Sequence, residues 1–381
     1  MKGKFSYLVL GTGVGKAIAA RLLKREDTTR VTLADNDYHR AEETVRTLAP
    51  KQFRTERLMP TFFSVEHTSD ADIQKMFAPF QVVISAIPAK HNVRLMDLAI
   101  SAKTNWCDLG GINDVTRQQL QLDKRAKKAG ISCVVDEGIS PGTGNKLAQL
   151  TWLSWGTRNI TIYVGGLPQN AQPPHNYQRT FSLEGLMHIL DPSPILRSGK
   201  IVTAPPCSEV ETVQIPSLEK FSTHFGGNVE AFVTAGAGLA AEWFKKKGVE
   251  NFCEKTLRWP GFLQYVGGIP REKLLGRFGE DLPPTDSVHP DLLIMRVVGT
   301  QGHRGETVIW ELLDTFDPVT GLSAMQRTTG FSAAATAYGA AHGQVRVGVH
   351  APEKAYEPSQ LRAHLELLGK DLNLTHTVIE K

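Results

Sequence analysis

Cysteine is scarce in this chain: four in 381 residues, Cys107, Cys133, Cys207 and Cys253, with no CxxC pair. Such wide spacing argues against a disulfide framework or a thiolate zinc site, and it suits a reducing compartment. HExxH is missing and His289, His303, His342 and His350 are scattered, so no metal site is expected. Long runs of one charge are missing too. Lys and Arg number 43 against 39 Asp and Glu, the formal net charge is +4, and the longest basic run is residues 245–247. Nucleic-acid binding is therefore not indicated. No apolar stretch approaches membrane-spanning length, and Phe5–Leu10 is too short for a signal-peptide core. These absences lead to the expectation of a soluble, cytoplasmic protein with no membrane partner, long enough for two domains.

What is present organises itself around residues 7–20, YLVLGTGVGKAIAA. An apolar run ends abruptly in glycines and a helix-forming stretch follows, which is the order strand, tight turn, helix. Glycines there open backbone angles closed to other residues and let a ligand approach the main chain. The first helical turn would then offer N–H groups and the positive end of its dipole to a phosphate. A second strand ends in Asp35, about 20 positions past the turn, where a dinucleotide's adenosine ribose would be held. Gly11, Thr12, Gly13, Val14, Gly15 and Asp35 are thus candidate cofactor contacts. The spacing is GxGxG, one residue short of GxGxxG, with Lys16 where the third glycine would fall. Either the turn is tighter or its register differs.

Strand and helix patterns then alternate to residue 135. Strands are expected over residues 5–10, 30–34, 62–65, 81–86, 105–107 and 131–135. Helices are expected over 14–24, to about 48 after a cap at Asn36 or Asp37, 69–77, 91–102 and 114–129. Unbroken β-branched runs such as QVVISA fit a parallel sheet covered on both faces. This is a Rossmann-type doubly wound sheet, whose ligands bind at the carboxyl ends of strands. Asp35, Ala86-Ile87-Pro88, Asp108 and Asp136 sit at such ends. Beyond residue 155 the pattern becomes period-two strands (160–164, 201–203, 211–215, 255–258, 292–298, 307–313) separated by Pro and Gly, an α+β second domain with a mainly antiparallel sheet. An Ala-rich helix over 323–341 and an amphipathic one over 359–368 close the chain. The expected division is 1–140 for the dinucleotide domain, 141–325 for a substrate and oligomerisation domain, and 326–381 returning to the first.

Several motifs carry chemistry. GISPG (138–142) matches a nucleophile elbow, but the residue after the serine is Pro141, which has no N–H for an oxyanion hole; a tight turn that lets backbone approach a ligand is the better reading. Asp108, in CDLGG, is the carboxylate expected beside the nicotinamide, with Gly110-Gly111 leaving room for a ring; Asp136 and Glu137 are alternatives. Lys90 and His91 could move protons near neutral pH. In the second domain, Arg179 could hold a carboxylate as a bidentate fork and Glu184 an ammonium. Thr234, in EAFVTAGAG, lies in a Gly-rich stretch that could wrap a ligand. Arg327, in RTTG, occupies an anion-friendly position if the Ala-rich helix starts there.

Together TLADND (32–37), DLGG (108–111), DEGISPGTGN (136–145), YVGGLP (163–168), FSLEGL (181–186), EAFVTAGAG (230–238) and QRTTGFSAA (326–334) resemble the saccharopine dehydrogenase-like oxidoreductases, and within them the L-lysine 6-dehydrogenases. The resemblance runs in order through nearly the whole chain. It implies a Rossmann domain that receives the C-terminal segment, an inserted substrate domain and a homo-oligomer. It also implies NAD-linked oxidation of the lysine ε-amine to allysine and ammonia, and an Asp at position 108 near the nicotinamide. One departure is RWPGF (258–262), where Phe262 stands for a family histidine.

That chemistry asks little of the protein beyond positioning, water exclusion and a base for the amine and imine steps. Asp108, Lys90 or His91 could be that base. Asp35 would accept ribose hydroxyls and repel a 2′-phosphate, favouring NAD, with NADP possible because His39 and Arg40 are close by. Three readings remain: an amino-acid dehydrogenase, an NADPH-linked reductase condensing an amine with a carbonyl partner, and a non-catalytic dinucleotide-binding protein.

Overall fold

The computed structural model describes residues 5–48, 57–188, 190–222 and 224–380. The chain divides into two compact units, residues 1–143 with 329–368, and residues 144–328 with 369–381.

In the first unit the strands are β1 (Phe5–Leu10), β2 (Thr28–Asp35), β3 (Leu58–Phe62), β4 (Val82–Ser85), β5 (Asn105–Asp108) and β6 (Ser132–Val134). Strand Gly348–His350, from late in the chain, pairs with β6 and completes a seven-stranded sheet. Its order is Gly348–His350, β6, β5, β4, β1, β2, β3, and every pairing is parallel. The order reverses between β1 and β4, which makes the carboxyl ends of those two strands the ligand crevice of a Rossmann-type fold. β1 is buried along most of its length because helices cover both faces. A core of Leu8, Leu10, Val83, Trp106, Cys133 and Val349 spans five strands. The third strand lies earlier than the 62–65 expected, since its pairing to β2 already ends at Phe62 beside Asp35. The helix expected over 114–129 is two, Asn113–Leu120 and Asp123–Ala129, with Leu120 and Leu122 turned onto the core at the break.

The second unit holds β7 (Asn159–Pro168), β8 (Ser193–Arg197), β9 (Lys200–Ala204), β10 (Ser208–Gln214), β11 (Asn228–Val233), β12 (Asn251–Arg258), β13 (Asp291–Thr300) and β14 (Thr307–Thr315). The sheet runs β10, β11, β12, β7, β13, β14 and then strand Thr375–Ile379, with β8 and β9 appended at β12. Among the described residues β12 and β7 are parallel neighbours, and the other strand pairings of this sheet are antiparallel. Residues 326–381 therefore do not all join the first unit: 369–381 belong to the second, because Thr375–Ile379 pairs with β14. Among the described residues no helix is long and apolar enough to cross a membrane.

Two apolar clusters occupy opposite faces of the β11–β12 pair. Val229, Ala231, Leu257 and Trp259 belong to one. Phe232 belongs to the other, with Tyr177, Phe262, Leu274 and Phe278. By strand alternation Glu230, Phe232 and Thr234 share a face with Glu254, Thr256 and Arg258.

Candidate functional site

At the end of β1, Gly11 adopts φ +92°, and a Cβ there would lie 2.7 Å from the Ala86 carbonyl oxygen at the end of β4. Helix Gly15–Leu23 follows at once, with no side chain capping it and no acid in its first turn. A Cβ on Gly15 would sit 3.0 Å from Val9 Cγ1 and 3.4 Å from Leu33 Cδ1. Gly15 thus does the packing work of a third glycine one residue early, and the turn is tighter rather than shifted. A Cβ on Gly13 would meet nothing within 4 Å, so the mouth of the turn is open. The helix start without a side-chain cap, the open mouth and the steric need for Gly11 fit a dinucleotide pyrophosphate, which Gly11, Gly13, Val14 and Gly15 could hold.

Asp35 differs from the ribose acceptor expected. Its Oδ2 accepts from Thr12 N (3.1 Å) and Thr12 Oγ1 (2.6 Å). Its Oδ1 accepts from Asp37 N (3.1 Å) and from Arg40 Nε (3.1 Å) and Nη2 (2.6 Å). Burial works to raise its pKa, but the bonds from Arg40, Thr12 and Asp37 outweigh it and hold the carboxyl below its ordinary range. The carboxylate is therefore already occupied, and the exposed group beside it is the Arg40 guanidinium, 54% accessible.

At the carboxyl end of β4 Ala86 and Ile87 are partly exposed and Pro88 exposed, and the fully buried Ser85 donates to Asn92 Oδ1 at 2.8 Å. Lys90 is exposed. His91 Nε2 lies 3.6 Å from Glu66 Oε1, and burial lowers its pKa. Asp108 is fully buried; its Oδ2 accepts from Trp106 Nε1 (2.7 Å) and Gln119 Nε2 (2.6 Å), and burial raises its pKa. It faces the interior and not an open cleft. Of Gly110 and Gly111 only the second leaves room, since a Cβ on Gly110 would meet Asp136 Oδ1 at 1.8 Å whereas one on Gly111 would meet nothing within 4 Å. Asp136 in turn accepts from Gly111 N (2.9 Å) and Thr116 Oγ1 (2.8 Å). The two aspartates stitch the ends of β5 and β6 together. The 138–142 turn closes on itself rather than on a ligand: Gly138 N donates to Pro141 O, Thr143 N donates to Gly138 O, and a Cβ on Gly142 would strike Gly138 O.

This burial has a pH signature. Desolvation first, then the charge of Asp108, pushes Asp136 up to about 7. The unfolded carboxyl titrates near 4, so between roughly pH 4 and 7 the native state binds more protons and stability falls as pH rises. His91 and His350, lowered by burial, act in the opposite sense near pH 6. The comparison of wild type with Asp136→Asn isolates the aspartate. The variant is expected to gain about 1–3 kcal/mol relative to wild type on going from pH 5 to pH 8, read by thermal unfolding. Parallel profiles would refute the raised value.

In the second unit Arg179 is partly exposed, and its Nε is buried with no partner among the described residues. The Glu184 side chain lies outside the described residues. Thr234 is fully buried; its hydroxyl donates to Glu254 Oε2 and lies 2.9 Å from Thr256 Oγ1. Arg327 is committed to Asp314 (2.8 Å) and Asp317 (3.1 Å), so it is not an anion-binding group. The Ala-rich helix starts at Ala324, where Asp291 accepts from the Ala324 and Met325 N–H groups, so its N-terminus is already capped. Phe262 is core, stacked 6.1 Å from Phe232 and edge-on to Tyr177 at 4.9 Å. Sequence reasoning missed Glu230, Glu254 and Arg258. Burial raises Glu254 to about 7, and burial lowers Arg258, whose guanidinium lies over Tyr177 (4.5 Å) and Phe262 (5.2 Å). The available signal was β12 itself: Glu254 and Arg258 on one face with Lys255 on the other leave no wholly apolar side. Among the described residues no group of three or more His, Cys, Asp or Glu side chains could hold a metal.

A parallel sheet with a glycine turn at its switch point, followed by a mainly antiparallel unit, defines a two-unit dinucleotide-binding protein. Residues 7–134 match the saccharopine dehydrogenase NADP binding domain, and residues 138–372 the saccharopine dehydrogenase C-terminal domain. The chain belongs to the saccharopine dehydrogenase family, and residues 7–134 are that family's NAD(P)-binding domain. It is 25% identical over 286 residues to the mitochondrial alpha-aminoadipic semialdehyde synthase of Bos taurus, covering 73% of this chain and 29% of that protein. It is 25% identical over 247 residues to saccharopine dehydrogenase [NADP(+), L-glutamate-forming] of Saccharomyces cerevisiae, covering 62% and 53%. The chain thus spans about half or less of these relatives. The apo saccharopine dehydrogenase (L-Glu forming) structure from Saccharomyces cerevisiae shares the fold, with TM-score 0.76, 19% identity, and coverage of 98% and 100%.

Proposed function

We propose that the protein is an NAD(P)-dependent oxidoreductase acting on the CH–NH2 carbon of an amino acid, with the ε-amine of L-lysine as its substrate and allysine and ammonia as products. The observation that carries this reading is Arg179, a guanidinium whose buried Nε lacks a hydrogen-bond partner among the described residues and which suits a substrate carboxylate. Bound nicotinamide supplies the hydride acceptor. The Gly11 turn fixes the pyrophosphate. His91, lowered by burial, is neutral at pH 7 and takes the proton from the substrate ammonium, with Glu66 steadying the imidazolium. Asp108 acts as a positioning residue that locks the end of β5. Homo-oligomerisation is part of the same proposal, and light scattering on the purified chain tests it.

The test is absorbance at the reduced-nicotinamide band. Reduction of NAD by lysine alone, with ammonia released, supports the reading. Oxidation of NADPH only when an amine and a carbonyl partner are both present moves the assignment to reductive condensation. Dinucleotide binding without turnover of any amine moves it to a non-catalytic protein.

Arg40 favours the second of these as an alternative, because its guanidinium is exposed beside Asp35 at the end of β2, a setting that suits a 2′-phosphate. Arg40→Ala is expected to weaken NADP about tenfold or more while changing NAD less, the worth of one charge-assisted contact. Asp35→Ala should loosen the Thr12 turn, weaken NAD and shift preference toward NADP. Equal losses for both cofactors in Arg40→Ala would remove Arg40 from cofactor choice; dinucleotide titration reads both.

A further inference from the structure

Glu230 of β11 and Arg258 of β12 are direct cross-strand partners on one face of the second unit's sheet. Opposite residues of an antiparallel pair stand about 5 Å apart at Cβ, close enough for a carboxylate and a guanidinium to bond. Here they do not. Glu230 Oε2 and Arg258 Nε are both buried without a hydrogen-bond partner among the described residues. Arg258 is 2% exposed, and its Nη1 donates to the Leu257 carbonyl while the Tyr177 and Phe262 rings flank it. Residues 177–180 run over the same face, since a Cβ on Gly166 would meet Thr180 Oγ1 at 2.7 Å and Tyr177 covers Arg258. That segment carries Arg179, whose Nε is the third buried orphan. Glu230 and Arg179 are partly exposed, so the group reaches solvent.

Buried polar atoms are nearly always paired, and leaving a charged one unpaired costs more than the bond itself returns. Glu254 attracts the Arg258 charge across the same face, yet two cationic donors, Arg258 Nε and Arg179 Nε, and one anionic acceptor, Glu230 Oε2, keep no hydrogen-bond partner among the described residues, and such a set asks for a ligand that carries both charges close together. A hydrocarbon, a simple anion or a diamine satisfies only part of the set. We infer that Glu230, Arg258 and Arg179 form a clamp for the zwitterionic head of an α-amino acid, the ammonium on Glu230 and the carboxylate on the two arginines. This rests on the amino-acid reading above and deepens it: the α-head of the substrate is held by these residues of the second unit.

Calorimetry on the full chain with saturating NADH, which permits no oxidation, tests the clamp. The probes are L-lysine and L-glutamate, each against a copy lacking one charge: cadaverine and Nα-acetyl-L-lysine for lysine, 4-aminobutyrate for glutamate. At least one α-amino acid is expected to bind ten times or more tighter than its charge-deleted analogues. Glu230→Gln, nearly isosteric, is expected to cut that affinity at least tenfold with thermal unfolding unchanged. Arg258→Lys, which keeps the charge but removes Nε, should also weaken binding. If the variant misfolds, Glu230→Gln alone decides. Analogues binding as well as the amino acids, affinity in Glu230→Gln within twofold of wild type, or no amino acid binding at all would overturn the clamp. Lysine turnover with unchanged KM in Glu230→Gln would sink the clamp and leave the function standing. Glu230-dependent binding of an amino acid without lysine oxidation would do the reverse.

Discussion

Gly11→Val is expected to cost at least ~100-fold in NAD(P) affinity. A side chain at φ +92° is strained by about 1–2 kcal/mol before it touches anything. Its Cβ would then lie 2.7 Å from the Ala86 oxygen and 3.1 Å from the Ala86 carbonyl carbon, both backbone atoms at the end of β4. Backbone cannot swing aside as a side chain can, so the turn must open and the helix behind it must shift. Together strain and clash amount to a few kcal/mol, which the pyrophosphate site would bear directly. Titration of the dinucleotide fluorescence measures it. Intact cofactor affinity in a folded Gly11→Val protein would show that the ligand approaches some other part of the sheet.

The second large effect is expected on stability. A Cβ on Gly330 would lie 2.8 Å from Ala17 Cβ, 3.1 Å from Ile18 N and 3.3 Å from Ala17 C, all on the helix that follows the glycine turn. The Ala-rich helix Ala324–Ala341 approaches that helix through its smallest residue. Gly330→Leu should therefore destabilise the first unit by about 3 kcal/mol and lower its unfolding temperature by roughly 5–10 °C. Gly276→Ala is the control, because a Cβ in helix Arg271–Asp281 at that position meets nothing within 4 Å. It is expected to stabilise by about 0.5–1 kcal/mol through helix propensity. Calorimetric unfolding of the two variants should move in opposite directions. A Gly330→Leu protein as stable as wild type would mean that the two helices can part without loss.

The first unit was legible in the sequence because its signals are local. β1, the glycine turn and the β-branched run of β4 each declare themselves within a few residues. The second unit was legible only as a class. β11 was read as a ligand-wrapping stretch because Glu230 and the glycines after Val233 masked a six-residue strand. The site was less readable still, for a physical reason. Whether Asp35 or Asp108 offers its carboxylate to a ligand depends on what fills its lone pairs, and Arg40, Thr12, Trp106 and Gln119 fill them. Arg327 was misjudged in the same way, since Asp314 and Asp317 come from other elements. Orphans such as Arg179 Nε and Arg258 Nε appear only once every neighbour has been placed.

The pairing of Gly348–His350 with β6 bears on how this protein is made. A ribosome that has released residue 143 has delivered six of the seven strands of the first sheet, with the outer edge of β6 unpaired. Nearly the whole inserted unit must emerge before the last strand can close that edge. Exposed strand edges in nascent chains invite wrong partners. A message truncated within the insert would therefore yield a chain with its glycine turn complete and its sheet open, which chaperones and proteases would meet as an unfinished domain.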